Sequence, residues 1–181
     1  MYTIASLLDP ESDVKIKSLW DQLEINSGLK GVKKSPLPHF SWQVAENYSL
    51  SEADKKLAQY TRKYAPFDVK VSGLGIFTGD APVLYLALVN TCEMIERHND
   101  LWKLLVNLSN NPSDLYCPGD WVPHITLAYG DVNINKLASA VKLLSTQAFH
   151  FDIKINSIVL AYFENDIIGV HTSYKFTGKK A

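Results

Sequence analysis

Residues 38–42 read Pro-His-Phe-Ser-Trp, and residues 123–127 read Pro-His-Ile-Thr-Leu. Both stretches run proline, histidine, apolar residue, hydroxyl residue, apolar residue, and His39 and His124 lie 85 positions apart (124 − 39). Because side chains alternate along a β-strand, each stretch would place its histidine and its hydroxyl residue on one face and bury the apolar residues on the other. The sequence therefore predicts two rigid strands that each present one imidazole beside one hydroxyl, from Ser41 and Thr126 respectively.

The residues around these two motifs predict strands and helices in a mixed order. Several strands follow one another directly through short loops, which makes neighbouring strands antiparallel and favours an α+β fold over a doubly wound α/β fold. The two halves look alike, and we expect one domain over residues 1–181. The predicted strands are 2–8, 39–45, 67–77, 83–90, 123–129, 149–163 and 167–177, the predicted helices are 11–28, 49–64, 92–108 and 133–145, and 110–120 is predicted to be a polar loop.

Composition and charge exclude several classes of protein. The chain has 181 residues with 18 Lys and Arg against 19 Asp and Glu, and this net charge of −1 argues against broad wrapping of duplex DNA but not against a local phosphate site. Cys92 and Cys117 have no disulfide-framework or zinc-finger spacing, so we expect free thiols in a reducing compartment. No signal peptide and no membrane-spanning apolar run is evident. We therefore expect a monomeric cytoplasmic protein without a membrane partner.

The residue types of the paired motifs indicate acid–base chemistry. Neither motif has an adjacent carboxylate that would complete a hydroxyl-nucleophile triad, and neither has metal-ligand spacing. Imidazoles with a pKa of about 6.5 suit a general base and a general acid at neutral pH. Two hydroxyls beside them suit donation of hydrogen bonds to the oxygens of a phosphorus centre. The pattern predicts phosphodiester cleavage without a metal ion or other cofactor.

The competing interpretation is two unrelated strand histidines in the core. A single His-x-Ser or His-x-Thr is weak evidence, but two copies that share the preceding proline and the apolar residue between are unlikely from composition alone. A third match, His171-Thr172-Ser173, lacks both features, and we expect His171 on the surface. His98 and His150 are interpreted as structural.

In these motifs the sequence resembles the two-histidine (2H) phosphoesterase superfamily, which includes 2′-5′ RNA ligase-like proteins and cyclic nucleotide phosphodiesterases. Residues 67–77, 82–86 and 121–123 are also similar, and the resemblance extends over roughly residues 2–165. It implies two lobes, each with one antiparallel sheet and flanking helices, that are related by a pseudo-two-fold axis and separated by a cleft. It also implies that the site consists of His39, Ser41, His124 and Thr126.

The resemblance implies hydrolysis of a 2′,3′-cyclic phosphate or of a 2′-linked phosphodiester, with a nucleotide or an RNA end as substrate. A nucleotide- or RNA-binding module with little catalysis, and 2′-5′ ligation by the reverse reaction, are the alternatives. Trp121 is a candidate for stacking on a base, or else a hydrophobic cap on its loop. Lys33 and Lys34 are candidates for attracting the phosphate, or else a solvated pair.

Overall fold

The computed structural model describes residues 1–164 and 167–179. Within these residues the fold is α+β, as the sequence predicts, with four α-helices and nine strands. The helices are α1 Pro10–Ser27, α2 Leu50–Lys63, α3 Cys92–Leu105 and α4 Ile134–Leu144. The strands are β1 Tyr2–Leu7, β2 His39–Tyr48, β3 Phe67–Phe77, β4 Val83–Leu88, β5 Ser109–Pro112, β6 His124–Ala128, β7 Asp152–Ile155, β8 Ser157–Glu164 and β9 Ile167–Lys175.

The strands form two antiparallel sheets. Sheet one has the strand order β5-β2-β1-β8-β9, and sheet two has the order β6-β4-β3-β7. Each sheet holds one motif strand, because β2 begins at His39 and β6 begins at His124. The prediction of two antiparallel sheets with one motif in each is confirmed.

The helix that precedes each motif strand in the chain packs on the sheet that holds the other motif strand. Helix α1 precedes β2 in the chain but packs on α4 and on β6 of sheet two, whereas α3 precedes β6 but packs on β2 of sheet one. Helix α2 packs on α3, β8 and β9. We call sheet one with α2 and α3 lobe one, and sheet two with α1 and α4 lobe two. Helix α1, which precedes β2 in the chain, therefore packs behind β6, and α3, which precedes β6, packs behind β2.

Helix α1 shows how the local sequence sets the ends of an element. The Asp9 carboxylate accepts hydrogen bonds from the backbone N–H groups of Glu11 (3.1 Å) and Ser12 (3.0 Å). Pro10 occupies the first turn, where an N–H group has no partner within the helix in any case. Gly28 has a φ of 64°, the left-handed conformation that glycine adopts without strain. The helix begins and ends one residue earlier than predicted.

Both motif strands alternate as predicted. In β2, Phe40 is buried, while His39 and Ser41 are half-buried on the opposite face. In β6, Ile125 is buried between His124 and Thr126 in the same way. The pairing of β1 with β2 shifts register between Ile4 and Ala5, which pair with Gln43 and Ser41, so that Trp42 is the extra residue of a β-bulge.

Two predicted segments are wrong in detail. The predicted loop 110–120 contains most of β5, which pairs with β2, and a 3-10 turn at Asp114–Tyr116. The predicted strand 149–163 is two strands in different sheets, since β7 pairs with β3 and β8 pairs with β1. Alternation of apolar side chains ends at Ile155, and Ser157 is followed by the continuous apolar run 158–163, so the pattern changes where the chain leaves one sheet for the other.

One continuous cluster of buried apolar side chains, which includes Ile4 of β1 and Ile155 of β7, joins the two lobes. In the part of the chain that the structure describes, no helix is both long enough and apolar enough to cross a membrane.

Candidate active site

The two motif histidines are held by the same local hydrogen bond. The Nδ1 atom of His39 lies 2.6 Å from the carbonyl oxygen of Leu37, and Nδ1 of His124 lies 2.7 Å from that of Val122. In each case the carbonyl belongs to the residue two positions earlier, and a proline with a fixed φ stands between the two partners. When Nδ1–H donates to a carbonyl, the neutral ring keeps its lone pair on Nε2. Both imidazoles are therefore oriented alike, with Nε2 as the nitrogen that exchanges protons.

The environment lowers the pKa of both imidazoles. Burial is the main cause for each ring, and the carbonyl partners of Nδ1 oppose it in part. The pKa of His124 is lowered further by the charge of His39. This effect is in agreement with the contact between β2 and β6, which brings the two motif strands together.

The two motif hydroxyls differ in their hydrogen bonds. The Ser41 hydroxyl accepts a hydrogen bond from Thr3 Oγ1 at 3.0 Å and also contacts the hydroxyl of Tyr116. The Thr126 hydroxyl has no hydrogen-bond partner among residues 1–164 and 167–179. Thr126 is thus free to donate to a ligand, whereas Ser41 belongs to a small hydroxyl network. The sequence analysis missed Thr3 and Tyr116, because one lies on a different strand and the other in the segment predicted to be a loop.

Two tryptophans hold the backbone of the motif strands from behind. Trp121 Nε1–H donates to the carbonyl of Ser41 at 2.9 Å, and Trp20 Nε1–H donates to the carbonyl of Thr126 at 3.1 Å. Trp20 belongs to α1, which leads to the first motif, and Trp121 immediately precedes the second motif. Each indole therefore contacts the motif of the other half of the chain, and Trp121 ties the segment that enters β6 to β2.

The prediction that Trp121 stacks on a base is wrong. The side chain is only 6% exposed, and its ring stacks on His98 with centroids 4.0 Å apart and on Trp42 at 5.3 Å. The prediction that His98 is structural is confirmed, since its Nε2 lies 3.1 Å from the carbonyl of Trp42 and 3.0 Å from that of Tyr116. Burial lowers the pKa of His98, which favours the neutral ring in this stack.

Lys33 is paired with carboxylates, and its role in attracting the phosphate stays a prediction. Its Nζ atom lies 2.6 Å from a carboxylate oxygen of Asp21 and also contacts Glu24, both on α1. These partners raise the pKa of Lys33 and direct its charge to the helix. Lys34 is exposed at the end of the same 3-10 turn, Gly31–Lys34, and its proposed role stays a prediction.

An aromatic pair outside both motifs lies beside His124. The ring centroid of Phe77 lies 4.8 Å from that of His124, and the centroid of Tyr85 lies 5.1 Å from it. Phe77 ends β3 and Tyr85 lies in β4, opposite Thr126 of β6. Alternation along a strand predicts which face of the strand Phe77 and Tyr85 occupy. Only the pairing of β3, β4 and β6 brings them close to His124. Among the described residues, no cluster of three or more His, Cys, Asp or Glu side chains is arranged to hold a metal ion.

The fold is similar to those of several solved structures. It matches TT0787 of Thermus thermophilus over 99% of both chains, with a TM-score of 0.67 and 17% sequence identity. It matches E. coli LigT complexed with 3′-AMP over 97% of both chains, with a TM-score of 0.64 and 15% identity. A further phosphoesterase matches over 97% of both chains, with a TM-score of 0.61 and 16% identity. No curated protein matches the chain in sequence.

Two antiparallel sheets that each carry one His-x-Ser or His-x-Thr strand define the class of two-histidine phosphoesterases. The family model described as the 2′-5′ RNA ligase superfamily matches residues 9–167, and the chain belongs to this family. The resemblance inferred from the two motifs is confirmed.

Proposed function

We propose that the protein is a phosphoric diester hydrolase that opens a 2′,3′-cyclic phosphate or cleaves a 2′-linked phosphodiester of a nucleotide or an RNA end, without a metal ion. The main support is the matched pair of imidazoles. His39 and His124 have the same Nδ1 anchor, and the charge of His39 lowers the pKa of His124. One neutral and one protonated imidazole at a single phosphorus centre supply the base and the acid that a hydrolysis needs.

In the proposed reaction, a bond forms between the oxygen of water and phosphorus while the bond from phosphorus to the 2′-oxygen breaks. The neutral imidazole accepts the proton of the attacking water at Nε2, and the protonated imidazole gives its Nε2 proton to the 2′-oxygen. The hydroxyls of Thr126 and Ser41 donate to the non-bridging oxygens, where negative charge accumulates. Either histidine fills either role, depending on which side of the cleft the leaving oxygen occupies.

This chemistry and a structural neighbour support the proposed substrate class. Opening a 2′,3′-cyclic phosphate at the 2′-oxygen leaves a 3′-phosphate, and E. coli LigT, which has the same fold, has been solved with 3′-AMP. The net charge of −1 also favours recognition of one phosphate over recognition of a long polyanion.

The experiment is an activity screen in EDTA over 2′,3′-cyclic nucleotides, cyclic phosphate-ended RNA and 2′-5′ dinucleotides. We expect turnover of at least one substrate class, and we expect His39→Ala and His124→Ala each to reduce kcat by about 10²–10⁴-fold. His150→Ala is the matched control, because His150 is an exposed histidine outside both motifs and should leave kcat unchanged.

Two results would overturn the proposal. Full activity in either motif variant would remove that histidine from the mechanism. Tight binding of 3′-AMP without turnover of any substrate would indicate a binding module of the same fold. Formation of 2′-5′ linkages from cyclic phosphate and hydroxyl ends would instead show that the same pair of histidines runs the reverse reaction.

A further inference from the structure

The open face of lobe two has an unusual composition next to His124. Three positions lie in one row across β6, β4 and β3, because Ala87 pairs with His124 on one side and with Gly73 on the other. Ala87 contributes only a methyl group to this row and Gly73 contributes no side chain. No atom lies within 4 Å of the position that a Cβ atom at Gly73 would occupy. Next to His124, this row therefore carries no side chain larger than a methyl group on β4 and β3.

Further along β4 and β3, two aromatic rings lie near this row. The rings of Phe77 and Tyr85 pack on each other, with centroids 4.3 Å apart and planes inclined by 31°. The Tyr85 ring lies directly on the β3 backbone, since a Cβ atom at Gly75 would lie 2.3 Å from it. A glycine at this position is thus what allows the ring to lie flat on the sheet.

The aromatic pair also has an unused polar group. Tyr85 is 9% exposed, yet its hydroxyl has no hydrogen-bond partner in the described ranges 1–164 and 167–179. The Tyr85 oxygen is not one of the buried side-chain atoms that lack a partner, so it reaches solvent and is accessible to a ligand. Phe77 is half-buried and keeps part of its surface open to solvent.

The face of lobe one beside His39 is different. There the neighbouring side chains are small or aliphatic, and Ala5, Val159 and Ala161 form their own small apolar cluster with Leu7. The Tyr116 hydroxyl contacts Ser41 on this side. The packed pair of Phe77 and Tyr85 lies instead beside His124.

We propose that Phe77 and Tyr85 form a nucleobase subsite, in which the base of the substrate stacks on the aromatic pair and the Tyr85 hydroxyl donates to a polar edge of the nucleoside. The inference rests on the proposed function and makes it more specific. A base held at Phe77 places the nucleoside on the His124 side of the phosphate and the remaining substituent on the side of His39. Stacking tolerates any base, so the subsite distinguishes substrates with a base from substrates without one.

The test compares two substrates that differ only in the base, 2′,3′-cyclic AMP and 1-O-methylribose 2′,3′-cyclic phosphate. For the wild-type protein we expect kcat/KM to be greater for the nucleotide by about 5- to 150-fold, the range that stacking of one base supports. Phe77→Leu, which keeps apolar bulk without a ring, should reduce this ratio towards one, and Phe77→Tyr should preserve it. Phe151→Leu is the matched control, because Phe151 is half-buried behind the sheet, under Lys15 of α1, and the variant should keep the wild-type ratio.

A second measurement separates this inference from the proposed function. Calorimetric binding of 3′-AMP and of ribose 3-phosphate reports the subsite even if neither cyclic phosphate is hydrolysed. The inference is contradicted if the wild-type protein does not distinguish the substrates or ligands by their base, or if Phe77→Leu leaves the ratio unchanged while both rates fall together. Turnover of both cyclic phosphates with no base preference would support the proposed hydrolase activity and contradict the nucleobase subsite.

Discussion

Replacement of Trp121 by phenylalanine is the perturbation whose effect the structure specifies most fully. The substitution removes the Nε1–H group that donates to the Ser41 carbonyl at 2.9 Å, while it keeps an aromatic ring between His98 and Trp42. A buried carbonyl that loses its donor costs about 1–3 kcal/mol. For a chain of this length, that loss lowers Tm by between about 2 and 12 °C.

The assay has a thermal and a kinetic part. We expect Trp121→Phe to lower Tm and to reduce kcat more than it changes KM, because Trp121 positions Ser41 without contacting the substrate. Trp102→Phe is the matched control, since Trp102 is a half-buried residue of α3 whose indole N–H has no hydrogen-bond partner among the described residues. An unchanged Tm together with a raised KM for nucleotides would falsify this reasoning and return Trp121 to the role of a base-stacking residue.

Three further perturbations test other parts of the site. Since the pKa values of His39 and His124 both fall below 6.5, and since the competent form holds one proton on the pair, kcat/KM should reach its maximum below pH 6.5 and fall as the pH rises through the higher pKa. A maximum above that pH in a rate profile would contradict the assignment. Thr126→Ala should reduce kcat by about 10²–10³-fold in steady-state kinetics, whereas Thr126→Ser should restore most of it, and equal rates for both variants would exclude hydroxyl donation. Gly75→Ala places a Cβ atom 2.3 Å from the Tyr85 ring and should lower the free energy of unfolding by about 1–3 kcal/mol in denaturant titration, and an unaltered midpoint would show that the ring does not lie on that backbone.

The parts of the fold that local pattern determines could be predicted from sequence. Asp9, Pro10 and Gly28 set the ends of α1 through their own backbone chemistry. Alternation of side chains placed Ser41 and Thr126 on the open faces of their strands. These features depend on residues close together in the chain, and their physical causes act over one or two turns.

The rest depends on long-range pairing. Whether Trp121 contacts a base or the core is decided by α3 and β2, which no pattern around residue 121 reveals. The local sequence places Lys33 in a loop and does not show that it forms ion pairs with Asp21 and Glu24 of α1. Phe77 and Tyr85 lie beside His124 because β3, β4 and β6 are neighbours, and a single sequence does not specify that order.

The central claim of the proposed function is that two imidazoles, 85 positions apart in the chain (124 − 39), act together on one phosphate. The most direct measurement is an NMR titration of the His124 ring in the wild-type protein and in His39→Gln. Because the charge of His39 lowers the pKa of His124, removing that charge should raise the pKa of His124. An identical titration curve in the two proteins would contradict the account, because it would show that the two rings do not share a site.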